Sequence, residues 1–299
     1  MCGIVGLHLR DRTLYPELGA LLSGMLDQMC DRGPDSAGMA IYGDPTWSPE
    51  GHATISLLET PLPTADLAAA LTSRLGVEVT AFDLAPTAVA HAPVTAEQLH
   101  DAVRAIAPTA RVIGFGTDVT VLKGMGNPTA LAHRFGLPNA SGWQGVAHTR
   151  MATESAVTAE GSHPFSVGPD QCLVHNGSFS NHMSIKHTLE REGVIFDSEN
   201  DTEVGARFVA GQLADGVDLE KALLLLNETF DGFYTLLVSN KDSFAVVRDA
   251  ISCKPAVIAE TGRWVAMASE YRALADLPGI DTARIFEPEP EEVYVWHRQ

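Results

Sequence analysis

The beginning of the chain, Met1-Cys2-Gly3-Ile4-Val5-Gly6, constrains it most. Residues 2–9 are apolar and carry Ile and Val, a pattern that predicts a buried strand. Cys2 opens that strand. If Met1 is removed, Cys2 carries a thiol and a free α-amine on one residue. The thiolate is the nucleophile, and an ordinary cysteine, with a pKa of about 8.5, is only a few per cent thiolate at neutral pH. An α-amine titrates at about 7.7–8.0 and can exchange protons with a reacting group near pH 7. Nucleophile and base then share one residue, as in the threonine enzymes that use their own terminal amine. Position alone favours a small buried residue at a strand start, so the rest of the chain must decide.

A chain of 299 residues can bury a large core, as one big domain or two small ones. The formal net charge of −18 argues against nucleic acid or an anionic membrane surface as partner, since both call for basic patches. Cys2, Cys30, Cys172 and Cys253 stand far apart, without Cys-x-x-Cys or a zinc-like spacing with histidine, so no metal site is expected. Reduced thiols in a cytoplasmic protein are the simple expectation. No leader peptide pattern opens the chain, and no apolar run is long enough to span a bilayer.

Leu18, Leu21, Leu22, Met25 and Met29 recur at helical spacing and predict an amphipathic helix over roughly 15–30. It should stop before Arg32-Gly33-Pro34-Asp35, with Gly33 as a helix C-cap and Pro34 as a breaker. A strand follows at 39–42. Over about 46–142 the texture changes. Strand-like runs at 54–58, 77–82, 111–115 and 119–122 alternate with helical patterns through Leu67, Leu71, Leu75 and through Leu99, Val103, Ile106. This predicts an inserted small α/β unit. Gly114-Phe115-Gly116 and Gly124-Met125-Gly126 do not complete a dinucleotide fingerprint. Further strands are expected at 145–150 and 172–175, the latter running into Asn176-Gly177, a tight-turn dipeptide. Asn200-Asp201-Thr202-Glu203 reads as a helix start, 219–230 as a helix, and 233–239, 244–248, 256–258, 264–268 and 293–296 as strands.

Taken in order, Met1-Cys2-Gly3-Ile4, Arg32-Gly33-Pro34-Asp35-Ser36-Ala37-Gly38, His148-Thr149-Arg150-x-Ala152-Thr153, His163-Pro164, His175-Asn176-Gly177 and Asp201-Thr202-Glu203 resemble the class II, N-terminal-nucleophile (Ntn) glutamine amidotransferases. Each motif alone is weak, but together, starting with a cysteine directly after Met1, they are strong. The resemblance covers about 1–45 and 143–270. It implies an α+β fold: a four-layer α/β/β/α sandwich of two mainly antiparallel sheets, here interrupted by the unit at 46–142. The reaction it implies is hydrolysis of the glutamine side-chain amide to glutamate and ammonia, with the ammonia passed to an acceptor.

In that chemistry the Cys2 thiolate attacks the amide carbon. Asn176, through its side-chain NH₂, and Gly177, through its backbone N–H, are the expected oxyanion donors. One such donor is worth roughly 3–4 kcal/mol. The Cys2 α-amine protonates the departing ammonia and then activates water against the thioester. Glutamine is also a zwitterion. Arg150 is the expected clamp for its α-carboxylate and Asp201 the partner of its α-ammonium. Arg150 as a surface ion-pair member, Asp201 as a helix N-cap and Asn176-Gly177 as a plain turn remain open readings. By analogy Thr153 and His163 line the same pocket, and Arg32 and Asp35 brace the cysteine strand from behind. Cys30, Cys172 and Cys253 are expected to pack as small hydrophobes. Glucosamine-phosphate synthase-like relatives carry an aromatic residue after the clamp arginine. Met151 stands there instead, which leaves open how the pocket closes.

Only a short tail follows the glutaminase-like region, so a separate ammonia-accepting synthase subunit is expected. The layout resembles split glutamate synthase systems, including N-methylglutamate synthase. There an FMN would sit on the partner, since this chain shows no cofactor motif. Two other readings stand beside it: a stand-alone hydrolase of γ-glutamyl amides or conjugates, and a non-catalytic regulator that kept the fold.

Overall fold

The computed structural model describes residues 2–151 and 157–299. The elements run β1 (Gly3–Leu9), α1 (Leu18–Asp27), β2 (Ser36–Tyr42), β3 (Ala53–Leu58), α2 (Thr64–Leu75), β4 (Thr80–Leu84), β5 (Thr87–Ala92), α3 (Ala96–Ile106), β6 (Arg111–Gly116), β7 (Val119–Met125), α4 (Pro128–Phe135) and β8 (Gln144–Arg150). They continue with β9 (Cys172–Phe179), α5 (His182–Arg191), α6 (Asp201–Ala214), α7 (Leu219–Thr229), β10 (Gly232–Ser239), β11 (Ser243–Arg248), β12 (Val257–Glu260), β13 (Trp264–Ala268), β14 (Arg284–Phe286) and β15 (Val293–His297).

Two antiparallel sheets stack. One has the order β14-β12-β13-β1-β8-β2-β7, the other β15-β11-β10-β9. All seven residues of β1 are buried because both faces of its sheet are covered. Val5, Leu7 and Leu9 pack with Leu22 and Leu26 of α1 and Leu131 and Phe135 of α4. Ile4 joins Val146, Val174, Leu237, Phe244 and Val246 between the sheets. The outer face of the second sheet is covered by α6 and α7, through Val204, Val209, Leu223 and Leu226 against Phe179, Leu236 and Val247. Each such side chain contributes about 1.5–3 kcal/mol on burial. The result is the α/β/β/α sandwich.

The inserted unit has a sheet of its own, β4-β5-β3-β6, with α2 and α3 packed on it through Leu67, Leu71, Leu99 and Val103. Its extent differs from the expected 46–142. The strand at 119–122 belongs instead to β7, which pairs with β2 from Ser36↔Met125 to Tyr42↔Val119. The helix α4, which the sequence reading lacked, packs against α1 in the main core. The first helix is also shorter than expected. Gly33 is not a left-handed cap: its φ is −153°. It is glycine because an added Cβ would lie 2.5 Å from the Thr149 carbonyl carbon and 2.6 Å from Arg150 N. Nor do Asn176 and Gly177 form a turn. They continue β9, opposite Thr235 and Tyr234 of β10. Gly177 has φ +138°, and a Cβ there would sit 1.9 Å from the Phe233 carbonyl oxygen.

Candidate active site

Cys2 stands at the head of β1, between β13 and β8 in the sheet, where the strand ends of both sheets converge. A cavity of about 290 Å³ opens here. It is lined by Cys2, Arg32, His148, Arg150, Met151, His163, His175, Asn176, Gly177, Asp201 and Lys254, among others. The expected site residues outside the motif at 152–153 therefore converge, save Asp35. Thr153 lies outside the described residues.

Several ties hold the head of β1. The Gly3 N–H donates to Thr149 Oγ1 at 3.1 Å, and that hydroxyl donates to the Met29 carbonyl at 3.1 Å. Ile4 N–H donates to Ser269 Oγ at 2.9 Å. The Arg32 Nε donates to the Cys2 carbonyl at 3.0 Å while its Nη1 pairs with Glu270. Asp35 acts on the neighbouring strand end: its N–H donates to the Arg150 carbonyl at 3.1 Å, and its carbonyl accepts from Gly126 at 2.8 Å.

The sulfur accepts from Met151 N–H at 3.5 Å and faces the Met151 carbonyl at 3.8 Å. Burial pushes the thiol up. The hydrogen bond and positive field of His148, with the Met151 N–H, more than reverse this and bring it to about 6. Cys172 shows the opposite case. Burial pushes that thiol up to about 12, as expected of an inert core cysteine. Cys253 is exposed and Cys30 half-buried, with Asn127 Nδ2 donating to Cys30 Sγ at 3.1 Å, so neither packs as a core hydrophobe.

Asn176 sits beside the cysteine. Its Nδ2 donates to the Cys2 carbonyl at 3.3 Å and to Ser269 Oγ at 3.4 Å. Its Oδ1 faces His148 Nε2 at 3.0 Å. With the amide oxygen an acceptor, Nε2 of His148 carries a proton. Its Nδ1 is buried and makes no other geometric hydrogen bond among the described residues, so it is the nitrogen left for the thiol.

Behind His148 the imidazoles of His163 and His175 follow, with ring centroids 4.3 Å and then 6.3 Å apart. His163 Nδ1 accepts from the His175 main-chain N–H at 3.2 Å, so a neutral His163 carries its proton on Nε2, 3.1 Å from Thr202 Oγ1. That hydroxyl lies 2.9 Å from His175 Nδ1. Burial lowers His163 well below the usual histidine range and brings His175 to about 4. His148, His175 and Thr202 were not singled out from the sequence, although each lies inside a motif that was.

Asp201 is the first residue of α6. The N-cap is Asn200, whose side chain accepts from Thr202 N–H at 2.9 Å. Asp201 Oδ2 instead accepts from Phe179 N–H at 2.8 Å, fixing the carboxylate at the end of β9 and on the cavity wall. Arg150 ends β8 and is only 8% exposed, on the wall of the same cavity. A cationic and an anionic side chain thus line one cavity.

A family model for the glutamine amidotransferase domain matches residues 139–288. The glutamine amidotransferase-like protein GlxB of Rhizobium meliloti (strain 1021) is 49% identical over 307 aligned residues, covering 100% of this chain and 99% of that protein. The chain belongs to the class II glutamine amidotransferases. A second relative, provisionally named a glutamine amidotransferase, comes from Methanothermobacter thermautotrophicus. It is 32% identical over 314 residues and covers 99% of both chains. Among solved structures, glutamine phosphoribosylpyrophosphate amidotransferase from B. subtilis matches with a TM-score of 0.62 at 19% identity, over 98% of this chain and 46% of that one. This amidotransferase therefore shares the Ntn sandwich of that enzyme while spanning less than half its length. Enzymes of this family hydrolyse the glutamine amide and transfer its ammonia. No helix among the described residues is long and apolar enough to cross a membrane.

Proposed function

We propose that this chain is a glutaminase subunit that acts through a Cys2 γ-glutamyl thioester and delivers ammonia to a separate synthase subunit. The observation that carries the reading is the thiol at about 6 in a cavity it shares with Asn176, Gly177, Arg150 and Asp201. Arg150 takes the α-carboxylate and Asp201 the α-ammonium of glutamine, with His163 behind them. Cys2, held ionised by His148, attacks the amide carbon. The carbonyl π-pair moves to oxygen, where Asn176 and Gly177 donate hydrogen bonds. Collapse breaks the C–N bond, and the amine freed at Cys2 by loss of Met1 protonates the departing nitrogen. Water, deprotonated by the same amine, opens the thioester to glutamate and restores the thiol. Arg32 and Asp35 hold the strand ends.

The acceptor is proposed to be a glutamate synthase-like or N-methylglutamate synthase-like subunit, with any FMN bound there. What supports a separate subunit is that both close-length relatives are matched over 99% of their own extent, leaving little room in them for an acceptor domain. Cys2→Ala should reduce ammonia release from glutamine by at least about 10,000-fold with the fold retained, as for loss of other covalent nucleophiles. Retained glutaminase activity would remove Cys2 from the mechanism. Release of glutamate from γ-glutamyl conjugates in preference to glutamine would replace the subunit reading with that of a stand-alone hydrolase.

A further inference from the structure

A second cavity, of about 370 Å³, lies where the inserted sheet meets the main fold. Arg104 of α3 and Arg111 of β6 come from the inserted unit, while Lys123, Phe165 and Glu203 come from the main fold. Its size suits a small metabolite.

Lys123 is the unusual member. It is 2% exposed, on the central part of β7. Its Nζ donates to the Glu160 carbonyl at 3.3 Å and lies 4.7 Å from the Phe165 ring centroid, and both of those residues line the cavity. No carboxylate among the described residues forms an ion pair with it. Burial brings this ammonium down to about 8. A buried cation with one long hydrogen bond among the described residues is costly unless something anionic joins it.

Of the carboxylates nearby, Glu160 lines the cavity and favours the Lys123 charge through its field, while Glu203 and Asp197 are committed elsewhere. Glu203 accepts from the N–H groups of Asp197 and Ser198 at 2.9 and 2.8 Å, and from Ser198 Oγ at 2.6 Å. Arg207 holds Glu203 at 3.1 Å and Asp197 at 2.9 Å. Arg104 and Arg111 are held more loosely, at 3.5 Å from Asp197 and 3.6 Å from Glu59. Arg111 Nη1 also donates to the Asp197 carbonyl at 3.3 Å.

The two cavities share a wall. His163 faces the Cys2 cavity and packs edge-on against Phe165, which faces the second one. Asp201 and Thr202 line the first cavity, and the next residue, Glu203, lines the second. We propose that this second cavity binds a small metabolite through its carboxylate or phosphate group, with Lys123 as the deep counter-ion and Arg104 and Arg111 at the rim. Occupancy then shifts glutamine affinity through residues 201–203 at the start of α6. This coupling, unlike the binding itself, rests on the glutaminase reading.

Inorganic phosphate and succinate are the two probes, each titrated against sodium chloride at matched ionic strength. The readouts are the unfolding temperature and the KM for glutamine. At least one dianion should give a saturable rise in unfolding temperature that chloride does not. Which one does so separates phosphate from carboxylate ligands. Lys123→Met should weaken the apparent affinity at least tenfold, and Arg111→Gln, at an exposed position, severalfold. Cys2→Ala should bind as wild type, which separates this claim from the fate of the glutaminase reading. A saturating dianion should change KM for glutamine at least threefold. If neither dianion stabilises the protein beyond chloride, or if both variants bind as wild type, the site does not exist. Binding with an unchanged KM would overturn the coupling.

Discussion

The Cys2 cavity and the inserted sheet are held together by different physics. Around Cys2 the ties are polar and run between elements: Thr149 of β8 to Gly3 of β1, Ser269 after β13 to Ile4, Asn176 of β9 to the Cys2 carbonyl, and Phe179 N–H to Asp201 of α6. The inserted sheet is held by its own apolar cluster, including Ile55, Leu57, Leu67, Leu71, Leu99 and Val103, and α3 starts with a local capping box of Thr95 and Gln98. No described residue of 53–116 lines the Cys2 cavity. The comparison teaches that catalysis here depends on distances set between strands, while the insertion can vary without disturbing them. Its contact with function is the second cavity.

Substitutions in the two regions should therefore separate rate from stability. The largest effect after loss of the nucleophile belongs to the proposed oxyanion donor. Asn176→Ala should lower kcat about 100–1,000-fold. Asp201→Asn should act on binding instead, raising the glutamine KM about tenfold with kcat nearly kept, the signature of a ground-state contact. Steady-state kinetics on the pair decide it. Equal losses in kcat and KM for both variants would break the assignment of separate roles.

A smaller effect is expected at His148. The thiolate fraction, and with it kcat/KM, should rise with pH through about 6 in the wild type. In His148→Ala burial is opposed only by the weaker ties, so the acid limb should move up toward the ordinary thiol range. A less acidic thiol is also a stronger nucleophile, with a Brønsted slope of about 0.4–0.5. The two effects offset, so the rate at pH 7 should fall only about five- to tenfold. A pH profile whose acid limb stays in place would show that the imidazole does not tune the thiol.

The smallest effect on activity should come from the inserted core. Leu99 is fully buried there. Leu99→Ala should cost about 2–5 kcal/mol of stability, seen as a lower denaturation midpoint, with kcat unchanged. A matching loss of kcat would mean that the insertion supports the Cys2 cavity directly.

Much of the sandwich could be read from pattern. β1 and β10 are mostly apolar because both faces of their sheets are covered, while β8, buried throughout, mixes Val146 and Ala147 with Gln144, His148, Thr149 and Arg150. What escaped was long-range or compositionally quiet. β5 is Thr87-Ala88-Val89-Ala90-His91-Ala92, too rich in Ala to stand out as a strand. α4 has its signals, Asn127 as cap, Pro128 at the first turn and Gly136 at the end, but only eight residues. β7 follows β6 closely in sequence yet pairs with β2, about eighty residues upstream in register, and no local pattern reveals that choice. Asn176-Gly177 carried the dipeptide of a hairpin turn, while pairing with β10 kept it extended. At the site, the charged pair Arg150 and Asp201 could be singled out by the chemistry of a zwitterion. His148 and His175 could not, because their importance lies in hydrogen bonds to Asn176 and Thr202 that exist only once two strands and a helix meet.

The most direct test is mass spectrometry of the active protein after treatment with a glutamine-mimicking diazoketone. The account predicts a mature chain that begins at Cys2 and carries a single adduct on that residue, formed in step with the loss of ammonia release. An active preparation that retains Met1, or is inactivated with Cys2 unlabelled, would contradict it.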